Sequence, residues 1–225
     1  MANYAVDPEI LKPYVPWGTE LDFFQGKTYI SLVGFMFLRT RVWGLPFPFH
    51  VNFPEVNLRF YVTREENGKL KRGVVFIKEL VPRFLIAKIA NTLYRENYQA
   101  LPMKHTYLDL GDELDIRYSW LFDNKWHSMS ARVNKNGSPI VDGSEPEYIA
   151  EHYWGYARHD DKTTVEYEVK HPRWNILPHS EYEIDCDATR LYGPQFAPYL
   201  QQTPDSVFVA DGSDISVHKG LKIVG

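Results

Sequence analysis

From Glu55 to Val62, polar and apolar residues alternate strictly. Glu55, Asn57, Arg59 and Tyr61 fall on one face, and Val56, Leu58, Phe60 and Val62 on the other. Period-two alternation with β-branched and aromatic residues predicts a strand with one apolar face. Asn67-Gly68 follows, and both central positions of a type I′ turn need φ > 0. Residues 73–80 then predict the return strand of a hairpin. A turn centred on Asn67-Gly68 sets Asn57 opposite Lys78, Arg59 opposite Phe76 and Val56 opposite Glu79. Cross-strand partners share a face. Lys78 therefore joins Glu55, Asn57 and Arg59, while Glu79 lands on the apolar face. A shift of one residue exchanges these assignments. Two readings of the polar face remain open: a solvated surface, or the lining of a barrel cavity.

Beyond the hairpin, Pro82 and the stripe Phe84, Leu85, Ile86, Ile89, Ala90 and Leu93 predict an amphipathic helix over 82–96. Residues 98–110 return to strand character. Before the hairpin, Asp7-Pro8-Glu9 predicts a short capped helix. Residues 27–43 form a long strand, apolar on both faces through its middle, with a bend expected at Gly34. A proline- and aromatic-rich loop spans 44–54. Further strands are expected at 113–122, 125–133, 153–159, 163–170 and 180–187. Ser144 and Glu147 have capping-box spacing, which opens a short helix reaching His152. Residues 188–205 read as irregular, and 207–210 with 215–219 as a final pair around Asp211-Gly212. About ten strands, one medium helix and short flanking helices make a mostly β, α+β chain with a closed or nearly closed sheet. No linker or repeat divides it, so residues 1–225 read as a single domain.

Composition narrows the class. At 44% hydrophobic and 15% aromatic, the chain can fill one substantial core. A net charge of −4 leaves no basic footprint for nucleic acid. The single cysteine, Cys186, permits no intrachain disulfide and reads as an inert core thiol in a reducing, cytoplasmic setting. The longest apolar run, 30–38, contains Ser31 and Gly34 and is too short to span a bilayer. The N-terminus has no signal-peptide pattern. Nucleophile elbows, phosphate loops and zinc motifs are absent, and the eight histidines lack metal-ligand spacing, so no cofactor is expected.

The runs Asn3-Tyr4-Ala5-Val6-Asp7-Pro8, Phe53 through Val62, and Arg72-Gly73-Val74-Val75-Phe76 resemble the YqjF-like bacterial family, domain-of-unknown-function family 2071. The likeness extends over nearly the whole chain. That family resembles the acetoacetate decarboxylase-like superfamily, which implies an antiparallel β-barrel or cone around an internal pocket. In the decarboxylases, a Pro-Lys-Lys motif supplies a Schiff-base lysine and a second lysine that lowers its pKa. Here the similar stretch is Pro102-Met103-Lys104, with Met103 in the nucleophile's position. Schiff-base decarboxylation is therefore not expected, while the pocket is. The resemblance also implies a tryptophan-bearing segment ahead of Asn3, so a shortened N-terminus is expected.

Three functions compete. One is a pocket for a small organic anion, lined by Glu55, Asn57, Arg59 and Lys78, because a guanidinium binds a carboxylate in bidentate fashion. Another is an enzyme acting on an oxo acid, with Lys104 or Lys78 as amine and Glu79 or Glu96 as proton carrier. The last is an interaction or regulatory module with ordinary polar surfaces. Homo-oligomeric assembly is compatible with each.

Overall fold

In a computed structural model of the chain, residues 1–39, 41–42, 45–46, 52–84, 96–218 and 220–225 are described, with backbone alone at 41–42 and 45–46. Residues 85–95 of the expected helix over 82–96, and most of the loop over 44–54, lie outside these residues. Asn67 and Gly68 form the turn with φ of 53° and 74°. The hairpin they join is longer than its alternating core, running Phe53–Glu66 against Lys69–Val81.

Its register departs from the expected one at a single place. From the turn out to Arg59 opposite Phe76 the pairing is as read from the sequence. There the ladder shifts, and Leu58 faces Lys78, Asn57 faces Glu79 and Val56 faces Leu80. Ile77 is the extra residue of a β-bulge, which places two residues of one strand against one of its partner. The expected pairing of Asn57 with Lys78 is thereby corrected. Glu79 joins the Glu55–Asn57–Arg59 face, and Lys78 moves to the Leu58 face.

The hairpin lies inside an 11-stranded sheet. Phe53–Glu66 pairs with Thr28–Phe37, which pairs with Ala2–Val6, all antiparallel. The strand Lys69–Val81 has two successive parallel partners. Gly73 and Val74 pair with Trp154 and Gly155 of Trp154–Asp160. Glu79, Leu80 and Val81 pair with Tyr98–Ala100. The sheet therefore forks along this strand, and the Ile77 bulge falls between the two branches.

Both faces of the hairpin are covered. On one, Val56, Leu58, Phe60 and Val62 share a core with Ile116, Tyr118, Trp120, Met129 and Val133. These last come from the two central strands of a four-stranded sheet formed by Met103–Asp109, Glu113–Phe122, Lys125–Asn134 and His179–Asp185. Gly34 lies within the continuous strand Thr28–Phe37; a Cβ there would stand 2.6 Å from the Tyr118 ring, so close packing accounts for the glycine rather than the expected bend. On the other face, Tyr29, Tyr61 and Val74 pack with Tyr148, Ile149 and Phe208. The polar side of the hairpin is consequently interior: Glu55 and Asn57 are each 1% exposed.

Elsewhere most elements agree with the patterning. Ser144 Oγ accepts from Glu147 N at 3.4 Å and opens the helix Glu145–Ala150. The stretch read as irregular contains two short helices, Ala188–Tyr192 and Ala197–Leu200; their buried residues Leu191 and Leu200, with Phe196 at the cap of the second, join the main core. The expected terminal pair is replaced by separate pairings. Ser206–Val207 joins Ala2–Val6, Val209–Ala210 joins Asn175–Leu177, and Ser216–Val217 joins Thr163–Lys170. Among the described residues, no helix is long and apolar enough to cross a membrane.

Gly155 faces Tyr167 across the Trp154–Asp160 and Thr163–Lys170 ladder. A Cβ on Gly155 would lie 2.1 Å from Tyr167 Cζ, so the tyrosine ring lies directly over the glycine. Gly155→Ala should therefore displace Tyr167 and cost about 1–3 kcal/mol, the usual range for overpacking. Chemical denaturation would measure this; an unchanged midpoint and slope would contradict the packing described.

Candidate functional site

The fork gathers three buried carboxyl groups. Glu55 and Asn57 come from Phe53–Glu66, Glu79 from beyond the bulge, and Glu96 from the residues just before Tyr98–Ala100. Glu55 and Glu79 are each 1% exposed and Glu96 is 9% exposed. Asn97 clamps the bulge: its Nδ2 donates to Ile77 O at 2.7 Å, and its carbonyl accepts from Glu79 N at 3.0 Å. This double contact satisfies the carbonyl that the bulge withdraws from the ladder, and it holds Glu96 in place.

Two tyrosines and an amide tie the carboxyls together. Asn57 Nδ2 donates to Glu55 Oε1 at 3.0 Å, and Tyr98 OH donates to Glu55 Oε2 at 3.2 Å. Tyr98 also hydrogen-bonds Glu79. Tyr167 OH donates to Glu96 Oε1 at 2.8 Å. Two acceptors are left over: Glu79 Oε2 and Asn57 Oδ1 are buried without a hydrogen-bond partner. Among the described residues, no lysine or arginine forms an ion pair with Glu55, Glu79 or Glu96.

Burial without a paired cation disfavours the ionised form. Burial pushes the Glu55 carboxyl from 4.5 to about 7, although Asn57, Tyr98 and the charge of Arg59 pull it back. Glu96 rises to about 8, again through burial, with the Tyr167 bond opposing and the Glu55 charge adding. Glu79 is raised well above the ordinary range by burial and then by its two acidic neighbours. Burial likewise holds the Tyr98 and Tyr167 phenols well above 10. At neutral pH the cluster is a shared store of protons. It holds carboxylic acids able to donate alongside a carboxylate able to accept.

The other sequence-selected residues lie apart from one another. Arg59 is half-buried on the same face as Asn57, its Nη2 donating to Ile149 O at 3.0 Å. Its Nε is buried with no partner, and its guanidinium carbon lies 5.6 Å from the Tyr61 ring centre. Lys78 is on the opposite face and donates through Nζ to the Leu191 carbonyl; partial burial lowers its pKa. Lys104 is exposed, with Nζ 4.2 Å from the Trp126 ring centre. Met103 packs against the main core. The fold thus assembles Glu55, Asn57, Glu79 and Glu96, keeps Arg59 beside them, and leaves Lys78 and Lys104 outside the cluster. Sequence reasoning missed Tyr98, Asn97 and Tyr167. The first two follow Glu96 closely in the sequence; Tyr167 belongs to a strand with no local signal for its role.

A surface groove of about 450 Å³, lined by Pro8, Lys12, Leu21 and Phe23 among others, contains none of the cluster residues. Among the described residues, no group of three or more His, Cys, Asp or Glu side chains is placed to hold a metal ion. Burial pushes the Cys186 thiol up to about 12, which leaves it unreactive near neutrality.

Residues 1–214 match the model of DUF2071, described as an uncharacterized conserved protein. The uncharacterized protein YqjF of Bacillus subtilis (strain 168) is 30% identical over 206 residues, covering 88% of this chain and 81% of its own. Two solved structures share the fold at low identity. The enduracididine biosynthesis enzyme MppR, complexed with the condensation product of pyruvate and imidazole 4-carboxaldehyde, aligns with a TM-score of 0.64 at 13% identity, over 99% of this chain and 86% of that one. An acetoacetate decarboxylase-like enzyme from Sphingomonas wittichii RW1 aligns at 0.60 and 12%, over 100% and 87%.

The raised carboxyl pKa values fix the sign of a pH effect. Between the ordinary value of 4.5 and the folded values near 7 and 8, the folded chain binds more protons than the unfolded one. Stability rises with pH only where the unfolded state binds more. These groups should therefore destabilise the fold as pH climbs from about 5 to about 8. Glu96→Gln keeps an acceptor for Tyr167 and removes the ionisation. It should raise stability at pH 8 by several kcal/mol and change it little at pH 5. Thermal denaturation across that range measures both; a variant equally affected at both pH values would contradict the protonated cluster.

Proposed function

The chain belongs to the DUF2071 family of uncharacterized conserved proteins, and on that footing we propose that it binds a small oxo acid at the sheet fork and moves protons on it. The carrying observation is the convergence of Glu55, Glu79 and Glu96 on Tyr98 and Tyr167, with no ion pair to a base among the described residues. Buried carboxyls with pKa values near neutrality are costly to keep and suited to acid–base work. An ionised glutamate takes a proton from the carbon beside the keto group. A neighbouring protonated glutamate gives one to the keto oxygen, and the product is an enol. Arg59 has a buried Nε without a partner and supplies a cation for the ligand's carboxylate. A pyruvate-derived ligand in a protein of similar fold supports the choice of an oxo acid.

With this reading go a cone-like closure of the sheet around the site, a single domain over 1–225, a cytoplasmic setting and assembly into homo-oligomers. It excludes an acetoacetate-type Schiff base at residues 103–104. Met103 is directed to the core and Lys104 to the surface, so neither supplies an amine beside the glutamates. Lys78 is the competing amine, since it is half-buried and its pKa is lowered by burial. Its bond to the Leu191 carbonyl and its position on the other face of the strand argue against it.

The test is exchange of pyruvate methyl protons with deuterated water, followed by NMR. The wild-type chain should accelerate exchange, and Glu79→Gln should lower the rate by about 10²-fold or more. Arg59→Ala should weaken pyruvate binding by about 2–5 kcal/mol. Borohydride should trap no adduct. A stoichiometric adduct on Lys78 or Lys104, or undiminished exchange in Glu79→Gln, would overturn the proposal.

A further inference from the structure

The hydrogen-bond inventory at the fork is unbalanced in one direction. Two side-chain atoms among the cluster's glutamates and Asn57 are left without a partner, and with Glu79 ionised both are acceptors. Glu79 Oε2 is one, and its residue is 1% exposed. Asn57 Oδ1 is the other, on a side chain equally buried. Asn57 is not acidic, so this second acceptor is independent of the carboxyl cluster. Its orientation follows from the network: Nδ2 is engaged as donor to Glu55 Oε1, which leaves Oδ1 turned away from that carboxyl. Asn57 and Glu79 are direct cross-strand neighbours on one face of the sheet. Buried acceptors in such a position are normally satisfied, and leaving them open is costly.

Electrostatics favours a charged donor. Three carboxyl groups meet here with no ion pair among the described residues, and Arg59, on the same strand face, donates instead to Ile149 O. A neutral donor would satisfy the open acceptors but give the glutamates no counter-charge when they ionise. A protonated nitrogen does both, because an ammonium has three N–H donors and no acceptor.

From these observations we infer that the Glu79–Asn57 end of the site takes a protonated nitrogen, the ammonium or amidinium group of a ligand. This rests on the site proposed above and adds a recognition element to it. Arg59 and Asn57 are two residues apart on one strand face, about 7 Å along it. The ligand class is thus a small molecule with a carboxylate at the Arg59 end and a cationic nitrogen at the Glu79 end. Seating the cation stabilises the ionised glutamates, so binding should release a proton to solvent.

Small probes separate this inference from the oxo-acid reading. Acetamidinium and methylammonium would be titrated calorimetrically against the intact chain. Acetamide and methanol serve as uncharged isosteres, and pyruvate is titrated separately. The cations should bind about tenfold or more tightly than their isosteres. Their affinity should increase from about pH 6 to about pH 9 as the carboxyls ionise. The observed heat should depend on the buffer's ionisation enthalpy, reporting release of roughly one proton per cation at neutral pH. Glu79→Gln should abolish the preference, and Asn57→Asp, with a second carboxylate acceptor, should strengthen it. Cations binding no better than their isosteres, or with no proton release, overturn the inference even if pyruvate binds. Cations binding as described while pyruvate does not would overturn the oxo-acid reading and leave this inference standing.

Discussion

One inserted residue governs where the interior charges lie. Ile77 has no partner of its own in the hairpin ladder, so every residue beyond it changes face relative to regular pairing. The insertion removes a lysine from the Glu55–Asn57 face and brings a glutamate to it. It also interrupts the edge along which the strand meets its two parallel partners. Asn97 closes the interruption by bonding both Ile77 O and Glu79 N, and the residue before it is Glu96. A single backbone irregularity thereby accounts for the meeting of Glu79 and Glu96 with Glu55. The bulge leaves Ile77 itself buried in the main core, which holds the irregularity in place.

The arrangement opposes the usual preference of carboxylates for water. Interior carboxyls are tolerated when they keep their protons or find cations. Here the first course is visible in the raised values of Glu55 and Glu96. The surrounding framework supplies the stability that the cluster does not. Apolar cores cover both faces of the hairpin, and Trp120, Tyr61, Tyr148 and Tyr156 are fully buried around them. Tyr167 reaches Glu96 only because Gly155 leaves room for its ring. Acid–base capacity in this fold is thus bound to local packing, and changes at Gly155, Ile77 or Asn97 should affect the carboxyls without touching them.

Much of the framework was legible in the chain. Alternation located the hairpin, Asn67-Gly68 its turn, and Ser144 with Glu147 the start of the Glu145–Ala150 helix. These signals are local, set by backbone sterics and side-chain period. The bulge was not legible, because Gly73 through Leu80 carries no break in composition to mark an extra residue. That single omission exchanged Lys78 and Glu79 between faces. Glu55 and Asn57 were nevertheless singled out by their shared strand face, and Glu79 and Glu96 for their acid–base chemistry. Tyr167 was invisible to local reasoning, since its role depends on a glycine on the neighbouring strand and a glutamate 71 residues away. Residues 188–205 were misread because their helices are short and held by the core against which they pack.

The most direct measurement is the titration of the individual glutamate carboxyl carbons by NMR in a selectively carbon-13-labelled chain. Glu79→Gln, Glu96→Gln and Glu55→Gln would assign the signals. With the cluster as described, the Glu55 and Glu96 signals titrate near pH 7 and 8, and that of Glu79 titrates well above the ordinary carboxylate range. The signals should also be coupled, so that removing one carboxyl lowers the midpoints of the others. Independent midpoints between about 4 and 5, the range of solvated glutamates, would contradict a buried, proton-sharing cluster at the sheet fork.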